Sequence, residues 1–99
     1  MHKTIEQLNK AFESRIRIGI MSALMVNDEL NFNDLKALLN LTDGNLATHL
    51  KNLEENKYIK VSKGFIGRKT NTTYSITKEG SKAFRSHLDA LEKIIKGIN

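Results

Sequence analysis

The sequence predicts a mainly α-helical fold with a small β-sheet, an α+β arrangement in one domain over residues 1–99. Three observations carry that prediction. Several stretches space their apolar residues at three and four, the period of an amphipathic helix. Two stretches late in the chain alternate at period two around the glycine-bracketed bend in "KGFIGRKTNTTYSIT", residues 63–77. There is no proline, and no internal repeat or linker interrupts the pattern.

The elements follow in order. Ile5, Leu8 and Phe12 lie at helical spacing, so residues 4–12 predict a short amphipathic helix. Ser14 is placed to cap a second helix, with Ile16, Ile20, Ala23 and Leu24 forming its apolar face and Met21 and Met25 flanking it. Asn27-Asp28 ends this helix, and Leu30-Asn31-Phe32 has room only for a very short strand. Asn33 caps the next helix, Asp34–Leu39, with Leu35, Leu38 and Leu39 inward. After a tight Asn40-Leu41 connection, Thr42 caps a third helix to about Asn56, buried through Leu46, Leu50 and Leu53.

Residues 58–63 and 72–76 then alternate as two strands of a hairpin. Gly64 and Gly67 bracket the bend, and the loop between the strands is longer than the two-residue type, so it should project. Phe65 shares parity with Ile59 and Val61 and is expected to pack inward. Thr77 caps a last helix to Ile98. This order describes a helix-turn-helix (residues 33–56) backed by a three-stranded sheet whose hairpin (58–76) is a wing: a winged helix-turn-helix with a C-terminal dimerisation helix (77–98).

Charge sharpens the picture. The net charge is +5, but residues 57–85 alone hold eight Lys/Arg against one Asp/Glu. A local field of that sign attracts a polyanion. On the third helix the leucine stripe leaves Asp43, Asn45, Thr48, His49 and Asn52 pointing away from the core, with Thr42 at the cap and Lys51 at the edge. "TDGNLATH" has one charge in eight residues, where a merely solvated face is usually dense in Lys and Glu. Short polar side chains of this kind suit base edges in a major groove. Asp43 would accept from a cytosine amino group or support the cap. Gly44 either lets the backbone approach DNA or is simply tolerated. Lys63, Arg68 and Lys69 supply cations for phosphate or a minor groove.

In the last helix Phe84, Leu88, Leu91, Ile95 and Ile98 are spaced four, three, four, three, a heptad seam expected to form a homodimer interface. The competing reading folds this helix back on its own domain.

Other classes find little support. With no cysteine there are no disulfides, cysteine nucleophiles or thiolate metal sites. His2, His49 and His87 lack metal-ligand spacing; His49 is expected to face DNA and His87 to lie on the surface. No phosphate loop, HExxH or credible carboxylate pair is present, so neither an enzyme nor a cofactor is expected. The N-terminus lacks a signal-peptide core, and the run Ile18–Val26 is too short to span a bilayer, so a cytoplasmic location is expected. An adaptor module for protein–protein docking is the main rival; it predicts an apolar patch on the third helix and no concentrated basic wing. An RNA-binding module is weaker, since stacking aromatics are missing from the exposed face.

The segments "SRIRIGIMSALM", "LNFNDLKALLNLTDGNLATHLKNLEENKYIKV" and "GRKTNTTYSITKEG" resemble the winged-helix transcriptional regulators of the MarR/ArsR type, in particular the small stand-alone winged helix DNA-binding domain subgroup. Lys57 stands where a glycine is frequent in that pattern. The resemblance implies a homodimer that binds pseudo-palindromic double-stranded operator DNA and represses transcription. It carries Asn45, Thr48 and His49 over as groove residues and Arg68 and Lys69 as wing contacts. It implies no metal sensor, since cysteine is absent, and it names no small-molecule effector.

Overall fold

The computed structural model describes residues 5–97. Its helices are α1 (Arg15–Met25), α2 (Phe32–Leu39), α3 (Asp43–Glu55) and α4 (Lys78–Lys96); its strands are β1 (Leu30–Asn31), β2 (Ile59–Ile66) and β3 (Lys69–Ile76). The sheet is antiparallel with β3 in the middle: Leu30 pairs with Tyr74 on one side, and Val61 pairs with Tyr74 on the other. The arrangement is the expected winged helix.

Three of the expected caps form. The side-chain oxygens of Ser14, Thr42 and Thr77 accept from the amides of Arg17, Asn45 and Gly80, satisfying donors that each first turn leaves open. The cap of α2 is Asn31 rather than Asn33: its side chain accepts from the Asp34 amide at 2.7 Å, so the helix begins at Phe32. Leu38 is exposed, contrary to expectation, because Leu35 and Leu39, four apart, already fill the inward face of this short helix.

Ile20, Met21, Leu24, Leu35, Leu46 and Leu53 are fully buried, and Phe12, Leu50, Ile59 and Phe84 join them in one core. Met21 is therefore central to the core and does not merely flank it. The N-terminal segment is not the expected helix. Two short 3-10 turns, Ile5–Gln7 and Lys10–Phe12, are separated by Asn9; Thr4 lies outside the described residues. Asn9 satisfies itself elsewhere: its amide donates to His87 Nδ1 at 3.0 Å, its Nδ2 to the Tyr58 hydroxyl at 2.9 Å, and its Oδ1 accepts from Ala11 at 2.9 Å. Phe12 then packs among Tyr58, Phe84 and His87, with ring centroids 5.2–5.4 Å away.

That strap corrects two expectations for α4. His87 is buried, not a surface residue, and Phe84 is in the core of its own chain. A heptad spacing cannot distinguish a partner's helix from the chain's own N-terminal strap, and here the strap takes Phe84 and His87 through Phe12 and Asn9.

Two junctions orient the wing. After α3, Lys57 adopts a left-handed conformation (φ 64°), with its amide bonded to Glu54 O at 2.9 Å and that of Tyr58 to Leu53 O at 3.0 Å, a Schellman ending. Lysine thus does what a glycine would do more cheaply. Then α4 begins against the same corner: Thr77 Oγ1 donates to Lys57 O at 2.8 Å, its amide to Tyr58 O at 3.1 Å, and Gly80 is buried against the Tyr58 carbonyl.

The hairpin is longer and its loop shorter than expected. Strand pairing runs to Ile66–Lys69, leaving only Gly67 and Arg68 to turn. Gly67 (φ 63°) supplies the positive φ that a two-residue turn of this kind requires at its first central position. Gly64 sits inside β2 opposite Asn71 and makes no bend. The wing projects because its strands extend beyond the body. Phe65, expected inward, is therefore 74% exposed: its face of the sheet has no core beneath it at that distance from Ile59. The molecule measures 58 × 25 × 21 Å, elongated by the wing and by the free end of α4.

Candidate nucleic-acid interface

The leucine stripe of α3 buries Leu46, Leu50 and Leu53 and so turns the rest of the helix outward. Thr42, Asp43, Asn45, Thr48 and Lys51 are exposed; His49 and Asn52 are half-buried. Gly44 and Ala47 share the exposed surface and leave it low. Thr48 Oγ1 donates to Gly44 O at 2.9 Å, a bond back to the preceding turn that fixes its rotamer. Asn52 is engaged by its neighbour, Asn56 Nδ2 donating to its Oδ1 at 3.3 Å.

Asp43 has a partner that the sequence did not reveal. Lys36 Nζ lies 2.8 Å from Oδ1, across the turn from α2. Exposed pairs contribute little stability, of order 0–1 kcal/mol. The pair does offset the one negative charge on the first turn of α3, where an unpaired carboxylate would repel phosphate.

His49 is not placed like Asn45 and Thr48. Its Nδ1 lies 3.0 Å from Arg17 Nη1, and Arg17 Nε donates to the Ala11 carbonyl. Burial, and then the Arg17 charge, hold the imidazole below its ordinary titration range. At 100° per residue, His49 lies roughly 200° around the axis from Ala47 and Lys51. Arg17 was missed because only a contact 32 residues away gives it meaning; the sole sequence sign is that it stands just off the apolar face of α1.

The hairpin meets the other flank of α3. Ala47, Lys51 and Glu54 face Val61, Lys63, Thr72 and Tyr74 across an open cleft of about 450 Å³. Beyond it the wing carries exposed Arg68 at the turn, exposed Lys69 beside it, and Lys63 on the cleft side. No Asp or Glu occurs between Glu55 and Glu79, so this arm is cationic throughout. The tip also exposes Phe65 and Ile66.

Of the residues expected at a dimer seam, Leu88 and Ile95 are exposed and Leu91 is half-buried on α4, joined by exposed Ile94. Phe84 lies in the core, and Ile98 lies outside the described residues. No helix among the described residues is long and apolar enough to cross a membrane, and no cluster of three or more metal-ligating side chains occurs among them.

Comparison with known proteins agrees with this architecture. An uncharacterized protein of Methanocaldococcus jannaschii is 38% identical over 89 residues, covering 90% of this chain and 97% of its own. A solved structure described as a transcriptional regulator homologue from Pyrococcus horikoshii superposes with a TM-score of 0.78 at 32% identity, over 93% of this chain and 96% of that one. Bacillus subtilis PadR, solved in complex with operator DNA, shares the fold at 18% identity and a TM-score of 0.68, over 76% of this chain and 48% of its own. The family described as "Winged helix DNA-binding domain" matches residues 16–95, and the chain, with its capped α3, its hairpin wing and its closing α4, belongs to that family.

Proposed function

We propose that the chain is a sequence-specific, double-stranded-DNA-binding transcriptional regulator that represses from a pseudo-palindromic operator as a homodimer. The observation that carries this reading is a juxtaposition: α3, whose outward first half presents Thr42, Asn45 and Thr48 with Asp43 offset by Lys36, meets through Ala47, Lys51 and Glu54 an arm that carries only positive charge. Neutral short side chains read base edges, while cations hold phosphate. The adaptor reading asked for an apolar patch on α3, and no large hydrophobic side chain is exposed there. The shared fold of a DNA-bound PadR and the 32% identity to a transcriptional regulator homologue support the same conclusion.

In a dimer the surface that remains for pairing is Leu88, Leu91, Ile94 and Ile95 on α4. Two α3 helices would then address successive major grooves about 34 Å apart. Genomic selection of bound DNA supplies the specific duplex. On it, Asn45→Ala should lose on the order of 1–3 kcal/mol, with little change on random duplex, while Arg68→Ala should weaken both alike. Absence of binding to any genomic fragment at low salt refutes the proposal. A monomer by sedimentation at micromolar concentration refutes the dimer.

A further inference from the structure

The Arg17–His49 contact has chemistry left over. Arginine has five N–H donors and no acceptor, so the bond to His49 Nδ1 can run only one way: Arg17 donates and Nδ1 accepts. The imidazole is then neutral, with its proton on Nε2. That nitrogen makes no hydrogen bond among the described residues, and no side-chain nitrogen or oxygen among them is buried without a partner. Nε2–H is therefore open to solvent.

Arg17 is similarly half-used. Nε is held by the Ala11 carbonyl and Nη1 by His49, which leaves three N–H groups without a partner among the described residues. It forms no ion pair with any carboxylate among the described residues. A guanidinium fixed at two points is an oriented cation whose ordering cost is already met. It reaches α3 through His49, which lies on the flank turned from the wing, roughly 200° around the helix from Ala47 and Lys51. A helix lying in a major groove has a phosphate backbone on each side, and the wing reaches only one of them.

We propose that Arg17 and His49 form a site for a DNA backbone phosphate on the flank of α3 opposite the wing, with the Arg17 guanidinium and His49 Nε2–H donating to its oxygens. The inference rests on the DNA-binding reading above and adds a second anchor to it. His49 thereby becomes a positioning and phosphate-binding residue and not a reader of bases.

The test is a salt titration of wild type, Arg17→Gln, His49→Phe and His49→Gln on the selected duplex and on a random duplex of equal length. Arg17→Gln should weaken binding roughly tenfold or more on both. It should also flatten the log–log salt slope by about 0.9, the loss of one phosphate contact. His49→Phe should weaken both duplexes alike, and His49→Gln, which can accept from Arg17 and still donate, should restore most of the affinity. A general loss of folding would show as melting at lower temperature without a change in slope, so Arg17→Gln that melts early yet keeps the wild-type slope overturns the proposal. So does a loss confined to the selected duplex, which would make His49 a base contact. Wild type that binds neither duplex removes the DNA reading itself, and this site with it.

Discussion

Gly80→Ala should unsettle the whole wing-bearing corner. A Cβ at Gly80 would stand 2.0 Å from the Tyr58 carbonyl oxygen, 2.8 Å from its carbon and 2.9 Å from its Cα. These are backbone atoms at the start of the wing, so no side chain can swing aside. Restoring contact at 3.4 Å requires the start of α4 to back away by about 1.4 Å. The bonds from Thr77 to Tyr58 O (3.1 Å) and to Lys57 O (2.8 Å) cross that same gap and would pass out of range. Two hydrogen bonds at about 0.5–1.5 kcal/mol each and an overpacking cost of about 1–3 kcal/mol oppose a helix-propensity gain of at most about 1 kcal/mol. The net loss is about 1–5 kcal/mol, a large share of the roughly 5–15 kcal/mol of a typical domain. Urea unfolding should show a lower midpoint at unchanged m-value. A variant within about 0.5 kcal/mol of wild type would refute the claim that this contact sets the α4–wing junction.

Gly44→Ala should act oppositely on stability, because nothing lies within 4 Å of its added Cβ: unfolding should show a gain of about 0.5–1 kcal/mol. If α3 lies flat on base edges, the same variant should bind the selected duplex more weakly in a titration. Lys57→Gly should gain up to about 1 kcal/mol in thermal unfolding, since relief of a left-handed residue outweighs the added freedom of the unfolded chain. Burial holds His87 below its ordinary value, with Glu13 opposing. The native state thus resists a proton that the unfolded chain accepts: stability is full above about pH 6.5 and falls as pH drops from there toward the lowered native value. His87→Gln, which can still accept from Asn9, should remove that part of the acid sensitivity in urea titrations at two pH values. Phe65→Ser should shift stability by no more than about 0.5 kcal/mol by the same method, because Phe65 packs on nothing in the body.

What could be read in the sequence was local. Thr42 and Leu46, Leu50 and Leu53 place α3 because a cap and a 3.6-residue stripe are properties of neighbours. The winged order was legible for the same reason. The turn was misplaced even though the signal was present: Ile59 opposite Ile76 and Val61 opposite Tyr74 share one centre, which falls between Gly67 and Arg68. Weighing both glycines equally concealed it, since Gly64 has a strand conformation and only Gly67 a positive φ. The N-terminal strap was illegible for a different reason. Asn9 finds its partners 49 and 78 residues away, and no local pattern announces that a polar residue will break a helix to reach them. His87 and Phe84 were misassigned with it, because whatever covers α4 decides which of its apolar spacings are core.

His49 and His87 show how much depends on the group at the second ring nitrogen. Both accept through Nδ1, His87 from a backbone amide and His49 from Arg17, and burial lowers both. At His87 the ring is enclosed by Phe12 and the strap, so the fixed tautomer serves the fold. At His49 the same tautomer leaves a donor facing outward on a half-buried ring. This division extends across the proposed interface. The outward first half of α3 is neutral overall, Asp43 being offset by Lys36, and the cations stand on the flanks: the wing on one side, Arg17 on the other. On the proposed reading, Coulomb attraction would govern how tightly any duplex is held, and the first half of α3 would govern which duplex is preferred. Removing a flank cation should therefore leave the ratio of specific to random affinity nearly unchanged, whereas a change at Asn45 or Thr48 should reduce that ratio while leaving the salt slope as it was.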